Sequence, residues 1–512
     1  MSLSSLVSHS ARVRLGVWLA LAAVSLAAAA RAELKYTLTP DPRARSIRVT
    51  LTLDSTEQTQ QEFRIPAWCP GFYFLQNYER KISDVRATDA GGNALAVRKS
   101  PSDPRSWEVD NPNCEKMTLS YRVLGDDGGL GFFGVNVVGH TAFVNGPAAF
   151  LYPTGRKGER CTLRLALPQG WDAATGMDRG EDGVYVAGDY DELLDHPLQL
   201  GHFARRSFEV EGIPFEAVFV SLDGTYAPNL DTVAAELKRI SRPAIVMMGG
   251  APFKRYVYLV HLAIGGFSGG LEHRASTVLA VGNYAGLQLD HLAAHELFHV
   301  WNVKHIRPKV LGPFDYTKPV RTTNLWFAEG VTDYFAFLHV YRSRDRGEAW
   351  LLDGLADEIT QLQSGETRKS KTLEDTSTQA WENGGFGIGD LSFYTKGCVV
   401  GLIFDAVIRG RTQGQKSLDD VLRLLYARHR LPNPGFEEDG ILKALNEVSG
   451  LDLTELYRRM VRSTEEIPYE HLKLIGLRLV SPSRGSSAYR LERDPSASPE
   501  AAKRLAEWLR IP

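Results

Sequence analysis

The sequence predicts a multidomain α+β protein in which a β-sheet domain is followed by a mainly helical domain. Its 512 residues exceed what one hydrophobic core usually holds together, and a hydrophobic content of 43% can fill two cores. Up to about residue 225 the apolar residues fall in short alternating or β-branched runs, separated by Gly, Pro, Asn and Asp. Beyond that point the apolar spacing becomes helical over longer stretches. The formal net charge of -2 gives no reason to expect a nucleic-acid partner.

The first 32 residues have the layout of a secretory signal peptide. Arg12 and Arg14 precede the apolar run LGVWLALAAVSLAAAA, and the stretch Ala-Arg-Ala at 30–32 offers an A-x-A cleavage site. An uncleaved membrane anchor is the alternative, but the run is short for a span and rich in alanine. We therefore expect cleavage after Ala32 and export, to a bacterial periplasm. No later stretch is long and apolar enough to cross a bilayer, so no membrane insertion is expected after cleavage.

Residues 33–225 are expected to form the β-rich domain. Its strand candidates are YTLTP, SIRVTLTL, MTLSYRVL, TAFVNG, CTLRLALP and FEVEGIPFEAVFV. Three of the four cysteines, Cys69, Cys114 and Cys161, fall in this half, and Cys398 lies far away. Their spacing is neither a disulfide framework nor a C-x-x-C metal site, and a single bridge among the first three is left open.

Residues 226–470 are expected to form the helical domain, and residues 471–512 a short C-terminal tail. The strand candidate YVYLVHLAI leads into the segment GGLEH, and STVLAVG follows. The edge of such a strand can hold an extended peptide. SPEAAKRLAEWLRIP in the tail predicts a lone amphipathic helix. Further helices are expected around residues 290–304, 324–341, 347–363, 391–409, 417–428, 437–447 and 452–461.

The string HLAAHELFHVWN contains the pattern H-E-x-x-H at His295, Glu296 and His299. On a helix, positions i and i+4 lie on one face, so two imidazoles there can hold one Zn²⁺. The glutamate beside the first histidine can take a proton from an attacking water. Chance is the plain alternative, because the pattern alone turns up in about one chain in a hundred of this length. His305 and Arg307 further along are expected to be structural residues at the end of this helix.

A zinc peptidase site needs a third protein ligand, and Glu329 in NLWFAEGVTDYFAFL is the natural candidate. A surface carboxylate is the alternative. A Glu between Ala and Gly inside an apolar helix is poorly explained that way, because a buried charge needs a partner or a metal. Asp333 follows one helical turn later on the same face. It can accept the outer N–H of a metal-bound histidine and fix the tautomer of that histidine.

Two further segments complete a set of four motifs. GGFSGGLEHR surrounds Glu272 upstream, and LSFYTKG surrounds Tyr394 downstream. Together the motifs resemble the gluzincin metallopeptidases, in which the aminopeptidase N family shows G-x-M-E-N, H-E-x-x-H-x-W, W-x-x-E-G and Y-x-K-G. Here the gap from His299 to Glu329 is longer, and His273 replaces the final Asn of the first motif. With HELFHVWNVKHIRP, these departures make the chain resemble the glycyl aminopeptidase family.

That resemblance implies an N-terminal β domain, a thermolysin-like catalytic domain and, usually, a PDZ domain after it. IPAWCPGFYFLQNYERKISDV is similar to the family's early W-x-P-G-S-Y segment, with Phe72 in place of Ser. YDELLDHPLQLGHF is similar to the stretch that closes the β domain. IPYEHLKLIGLRL is similar to the run into the PDZ domain, but only about 40 residues remain there. We therefore expect residues 471–512 to be an incomplete PDZ-like remnant.

The resemblance also implies roles for the residues that carry out the reaction. His295, His299 and Glu329 would hold one Zn²⁺ per chain, although two imidazoles and a carboxylate also bind Co²⁺ or Mn²⁺. Glu296 would be the general base. Tyr394 would donate a hydrogen bond to the oxyanion that forms on the scissile carbonyl.

At the amino end of the substrate, Glu272 would pair with the α-ammonium group, so that only the first peptide bond lies over the metal. A solvated loop carboxylate is the alternative for Glu272. Gly270 belongs to the Gly-Gly pair before it and would let the backbone approach the substrate closely. His273 would either line the pocket for the first side chain or hydrogen-bond to the backbone.

The leading hypothesis is a zinc aminopeptidase that acts on peptides with a free N-terminus. A preference for Gly or Ala in the first position comes only from the family resemblance. The alternatives are a zinc endopeptidase that ignores the free amine and a catalytically dead peptide-binding protein. The presence of every ligand and of the glutamate base argues against a dead protein. The sequence does not indicate an oligomeric state.

Overall fold

The computed structural model describes residues 33–128, 132–180, 182–221, 229–262, 268–282, 289–482 and 487–510. The predicted signal peptide lies outside these ranges and stays a prediction. Within them, no helix combines the length and the apolar character that crossing a bilayer requires. All four cysteines lie in these ranges as free thiols, so the bridge left open among the first three is not formed in the structure.

Residues 33–201 form a β domain in which the alternation of apolar and polar residues decides which face is buried. In the strand Glu33–Asp41, Leu34, Tyr36 and Leu38 are buried and the residues between them are less so. An eight-stranded sheet carries most of the domain, in the spatial order Asp178–Arg179, Tyr185–Ala187, Arg160–Leu165, Glu33–Asp41, Ser46–Leu53, Met117–Leu124, Ile82–Asp89 and Ala94–Leu95. Two four-stranded sheets complete it, in the orders Asp172–Ala174, Leu198–Gly201, Thr141–Val144 and Val135–Val138, and Tyr152–Pro153, Gln60–Arg64, Ser106–Asp110 and Val97–Lys99.

A five-stranded sheet opens the second domain, and it begins earlier in the chain than the sequence predicted. Its spatial order is Ala204–Val210, Ile213–Ser221, Tyr256–Leu262, Ser276–Val281 and Gly269–Glu272. Because Ile213–Ser221 pairs in parallel with Tyr256–Leu262, the change of architecture lies near residue 203, not at 225. The alternating pattern of FEVEGIPFEAVFV predicts a strand but carries no information about which sheet that strand joins.

The edge of this sheet lies beside the H-E-x-x-H segment. Gly269–Glu272 is the edge strand and pairs antiparallel with Ser276–Val281. The helix that carries the motif, Leu289–Phe298, packs against the edge strand and is called the motif helix below. It ends at Phe298 and not near residue 304 as expected. The predicted strand YVYLVHLAI is present as Tyr256–Leu262, but it lies in the middle of the sheet, and the edge next to the candidate site belongs to Gly269–Glu272 instead.

The helices of the second domain follow the predicted periodicity closely. Most of their apolar faces meet in one core that also includes one face of the five-stranded sheet. The helices run over Leu230–Met248, Leu289–Phe298, Val331–Arg342, Glu348–Ser364, Leu373–Thr378, Phe393–Arg411, Leu418–His429, Gly440–Ser449 and Thr454–Val461.

A π-helical turn at Trp326–Gly330 leads into the helix Val331–Arg342. The wider turn re-aims the side chains it carries, and such turns are frequent at functional sites. The helix Phe393–Arg411 crosses the π turn without intervening side chains. A Cβ on Gly330 would lie 2.4 Å from the Gly397 Cα, and one on Gly397 would lie 2.5 Å from the Trp326 carbonyl oxygen. Two glycines therefore set how closely these segments approach.

The C-terminal segment docks onto the helical domain. Leu477–Val480 and Arg490–Arg493 form a hairpin, and the helix Pro499–Trp508 follows. Trp508 is fully buried, and its Nε1 donates a hydrogen bond of 2.8 Å to the Tyr334 hydroxyl. The amphipathic helix predicted for the tail is thus present, and it buries its apolar face in the domain core.

The two domains meet through an aromatic cluster. Trp68 of the first domain contacts Phe314 and Trp381 edge to face, with ring centroids 5.7 Å and 5.3 Å away. Trp381 in turn meets Tyr73 of the first domain at 5.8 Å. Large aromatic rings bury much apolar area with few rotatable bonds, so this cluster holds residues 68–73 firmly against the second domain. We call residues 68–73 the cap loop.

Candidate active site

The three predicted metal ligands come together. Ligand atoms of His295, His299 and Glu329 all lie within 4.8 Å of one another, and all three residues are buried. The two Nε2 atoms are 2.9 Å apart, and Glu329 Oε2 lies 3.5 Å from the first and 3.2 Å from the second. The motif helix and the turn after it supply the histidines, and the π turn supplies the glutamate.

A hydrogen bond at Nδ1 fixes the tautomer of each histidine. His295 Nδ1 lies 2.8 Å from Asp333 Oδ1, and His299 Nδ1 lies 2.8 Å from the carbonyl oxygen of Asn302. Both partners are acceptors, so each Nδ1 carries the proton and each neutral ring keeps a lone pair on Nε2. Two lone pairs and a carboxylate that face one point repel one another unless a cation lies between them. The donor set therefore fits a divalent metal.

Asn302 joins the two segments that carry the ligands, and sequence reasoning missed it. Its carbonyl oxygen holds His299, and its Nδ2 donates to the Phe327 carbonyl oxygen at 2.7 Å and to Thr332 Oγ1 at 3.1 Å. The turn after the motif helix is thereby tied to the π turn. The position of Asn302, three residues after His299, gives no sign of this role.

Glu296 points into the same space with one oxygen free. Its Oε2 is buried and has no hydrogen-bond partner among the described residues. Burial raises the pKa of Glu296 to about 7. A Cβ on Gly270 would lie 2.1 Å from Glu296 Oε1, so the edge strand can pass this carboxylate only because residue 270 is glycine. Gly270 thus makes room for Glu296, a contact that the sequence did not predict, and its close approach to substrate stays a prediction.

Two tyrosines face the cluster from different domains. The ring of Tyr394 stacks on that of His295, with centroids 6.0 Å apart, and its hydroxyl makes no hydrogen bond to a described residue. Burial raises the pKa of Tyr394 well above its ordinary value, so the phenol keeps its proton. Tyr73 of the cap loop is also buried, and the charges of Glu329 and Glu272 add to the burial that raises its pKa. The sequence did not single out Tyr73.

Glu272 lies at the closed end of the cleft. It is buried at the end of the edge strand, and ligand-type atoms of Glu272, Glu296 and His299 lie within 4.8 Å of one another. The cap loop lies directly behind it. Gly71 has a φ of +92°, and a Cβ there would lie 2.7 Å from Glu272 Oε2. The backbone of the first domain therefore stops the cleft immediately beyond this carboxylate.

A buried charge network around Asp195 supports this end, and the sequence did not reveal it. Lys304 Nζ lies 2.9 Å from Asp195 Oδ1, and Arg274 Nε lies 3.4 Å from Oδ2. Lys304 also reaches Glu272 Oε1 at 3.5 Å. Burial alone would raise the pKa of Asp195, but Lys304 and His273 outweigh it and hold that pKa well below its usual range.

His273 takes neither of the roles that the sequence offered. Its side chain is buried, its Nδ1 lies 3.3 Å from Asp195 Oδ1, and its Nε2 has no partner among the described residues. The residues that line the pocket at the closed end do not include it. His273 therefore belongs to the network that supports Glu272 from behind. A chain distance of 78 residues separates it from Asp195, so no local pattern could reveal the contact.

The comparisons with known proteins agree with this geometry. The model of the Peptidase M61 N-terminal domain matches residues 35–202, and that of the M61 glycyl aminopeptidase matches residues 288–400. An aminopeptidase N family protein from Idiomarina loihiensis is similar in structure, with a TM-score of 0.79 and 26% identity over 88% of this chain and 79% of that one. A variant of a two-domain M1 zinc metallopeptidase bound to L-arginine shares the fold, with a TM-score of 0.52 and 15% identity over 86% of this chain and 95% of that one. Among curated proteins, no relative matches the chain.

The fold and the convergence of two histidines with buried carboxylates define a metallopeptidase. The chain belongs to the M61 glycyl aminopeptidase family.

Proposed function

We propose that the protein is a zinc aminopeptidase that hydrolyses the first peptide bond of peptides with a free N-terminus. The observation that carries this proposal is the position of Glu272. Its carboxylate is buried beside Glu296 and His299, and Gly71 of the cap loop closes the cleft behind it. A peptide whose amine is held by Glu272 has no room for a preceding residue.

The donor set supports Zn²⁺ as the metal. His295, His299 and Glu329 would hold it through two Nε2 atoms and one carboxylate, the set of three protein ligands typical of catalytic zinc. Zinc bound there would polarise the scissile carbonyl and lower the pKa of the attacking water.

The proton transfers are assigned to Glu296. With a pKa near 7 and an unpaired Oε2, its carboxylate can take a proton from the attacking water close to neutral pH. The same group can then deliver a proton to the leaving amine. Tyr394 keeps its phenolic proton and has a free hydroxyl, so it can donate a hydrogen bond to the developing oxyanion.

Glu272 is assigned to the α-ammonium group of the substrate. Lys304 is engaged more closely by Asp195, at 2.9 Å, than by Glu272, at 3.5 Å. Glu272 therefore keeps a carboxylate oxygen for a second cation. An extended peptide could add its backbone to the edge strand Gly269–Glu272 and so pass over the metal ligands.

A preference for Gly or Ala in the first position is part of the proposal. The match to the glycyl aminopeptidase family supports it.

The test is the identity of the products from an Ala-initiated pentapeptide, free and N-acetylated, incubated with the mature zinc-loaded protein. We expect release of Ala from the free peptide only, and no release by Glu296→Gln. Internal cleavage of both peptides would make the protein an endopeptidase. Absence of cleavage with zinc bound would favour a peptide-binding protein.

A further inference from the structure

One buried arginine that lines the same pocket as Glu272 has no polar partner in the part of the chain that the structure describes. Arg307 is only 9% exposed, and its guanidinium lies 5.0 Å from the centroid of the Phe314 ring. It also lies against Gly312, where a Cβ would come within 2.0 Å of the guanidinium carbon. Among the described residues it makes no side-chain hydrogen bond and no ion pair. The motif helix ends at Phe298, so Arg307 does not serve as its C-terminal residue.

Such an arrangement leaves charged donors facing the pocket. A guanidinium carries five N–H donors and stays charged, and the nitrogens of Arg307 are not among the buried atoms that are sealed from solvent without a hydrogen bond. Asp191 and Asp195 stabilise its charge only at a longer range than an ion pair. The contacts with Phe314 and Gly312 limit the movement of the group. The group is therefore positioned in advance, with its donors available.

Arg307 lines the same pocket as Glu272. That pocket lies at the closed end, between the cap loop and the second domain, and Lys304, Arg274 and Asp195 also line it. Asp195 pairs with both Lys304 and Arg274, at 2.9 Å and 3.4 Å, and Lys304 also faces Glu272. Three cations thus face two carboxylates, and Arg307 is the cation left unpaired.

We propose that this pocket is a carboxylate-binding subsite that takes the side chain of an aspartate in the first position of the substrate. The inference rests on the proposed function, because Glu272 must hold the α-ammonium group. In aspartate the ammonium and the side-chain carboxylate are three bonds apart, which suits one pocket lined by both Glu272 and Arg307. Arginine binds carboxylates through two parallel N–H donors, and this pairing is stronger than that of neutral groups.

The same pocket discriminates against positively charged first residues. A lysine or arginine side chain would bring a further cation beside the unpaired guanidinium of Arg307. The substrate class becomes peptides that begin with Gly, Ala or Asp, all with short side chains.

A free anion could satisfy the same chemistry, so the test separates the two sources. Binding of L-aspartate, L-asparagine, L-alanine and acetate to the zinc-loaded protein is measured by calorimetry. Hydrolysis of the Asp-, Asn- and Ala-initiated peptides is measured beside it. The variants are Arg307→Met, which keeps an apolar side chain, and Arg307→Lys, which keeps the charge but lacks the two parallel N–H donors of a guanidinium. Arg430→Met is the matched control, since exposed Arg430 stacks on Tyr426 at 5.1 Å and does not line the pocket.

We expect the wild type and Arg430→Met to bind L-aspartate about ten- to a hundredfold more tightly than L-asparagine, the range for hydrogen bonds to a charged group. In Arg307→Met that ratio should fall to about one, and in Arg307→Lys it should be intermediate. Because the readout is a ratio within each variant, a general loss of affinity cancels. Should Arg307→Met fail to fold, the wild-type ratio and Arg307→Lys still decide the question.

Equal binding of L-aspartate and L-asparagine by the wild type would overturn the subsite. So would acetate binding that depends on Arg307 while L-aspartate shows no advantage, since the pocket would then hold a free anion. Selective binding of L-aspartate without hydrolysis of any peptide would support the subsite and contradict the proposed aminopeptidase. Hydrolysis of the Ala peptide without selective binding of L-aspartate would support the proposed aminopeptidase and contradict the subsite.

Discussion

The two ends of the cleft are built in different ways. At the metal end, the motif helix, the turn after it and the π turn supply every candidate ligand. At the closed end, the cap loop, Asp195, Glu272 and Lys304 come from four separate segments and from both domains. In the proposed reaction, bond cleavage therefore depends on short stretches of the second domain. The proposed choice of substrate depends on how the two domains meet.

The largest effect is expected from the proposed base. Glu296→Gln should lower kcat by about 10³-fold, since acid–base catalysis contributes on that order. The zinc content should stay unchanged, because the substitution alters none of the three proposed metal ligands. Steady-state kinetics and atomic absorption measure the two quantities. Full activity in this variant would remove Glu296 from the reaction.

Tyr394→Phe should lower kcat by about 10²- to 10³-fold with little change in KM. The hydroxyl would be used only when charge develops on the carbonyl oxygen, and loss of one such donor typically has this cost. Kinetics over a range of substrate concentrations separates the two constants. An unchanged kcat would end the oxyanion role.

Gly270→Ala tests whether the edge strand makes room for the base. The new Cβ would lie 2.1 Å from Glu296 Oε1, so the carboxylate must move and kcat should fall by about 10²-fold. The matched control is Gly347→Ala, where a Cβ meets nothing within 4 Å. Equal kcat values for Gly270→Ala and Gly347→Ala would show that the Glu296 carboxylate can shift without loss of activity.

Asp333→Asn should weaken zinc binding by about 10- to 100-fold, because the carboxylate orients His295 and fixes its tautomer. Titration with a competing chelator measures the affinity. Asp110→Asn, at an exposed carboxylate paired with Arg98 in the first domain, serves as the control. An unchanged zinc affinity in Asp333→Asn would leave that carboxylate without a part in metal binding.

The smallest of these effects is expected at the cap loop, and it tests the closed end alone. Gly71→Ala combines a strained φ of +92° with a Cβ 2.7 Å from Glu272 Oε2, so KM for a free peptide should rise by about tenfold. Gly92→Ala shares the strain, at φ +84°, but its Cβ meets nothing within 4 Å. If Gly71→Ala and Gly92→Ala change KM equally, the contact between the cap loop and Glu272 has no role in substrate binding.

The metal end could be predicted from the sequence because its geometry is local. The i, i+4 spacing predicts that His295 and His299 lie on one helix face. Glu329 stands out because it is a charged residue within an otherwise apolar predicted helix. Periodicity likewise placed most helices of the second domain within a few residues. The π turn was not predicted, because it widens a turn without changing the residue pattern.

The closed end could not be predicted because its contacts join segments far apart in the chain. Asp195 and Lys304 are 109 residues apart, and nothing in DHPLQLGHF or HVWNVKHIRP links them. The contact between Gly270 and Glu296 was not predicted for the same reason, since Glu296 reaches it from another element. The domain boundary was placed too late because strands from both domains alternate in the same way.

The most direct test of the account is the effect of Glu272→Gln on the ratio of kcat/KM for a free Ala-initiated peptide to that for its N-acetylated form. The exposed Glu437→Gln is the control. We predict that the wild type and the control strongly favour the free peptide. Glu272→Gln should lower kcat/KM for the free peptide, and with it the ratio, by about ten- to a hundredfold, the contribution of a hydrogen bond to a charged group. A wild type that cleaves both peptides equally, or a Glu272→Gln variant that keeps the full preference, would contradict the assignment of the closed end to the free amine.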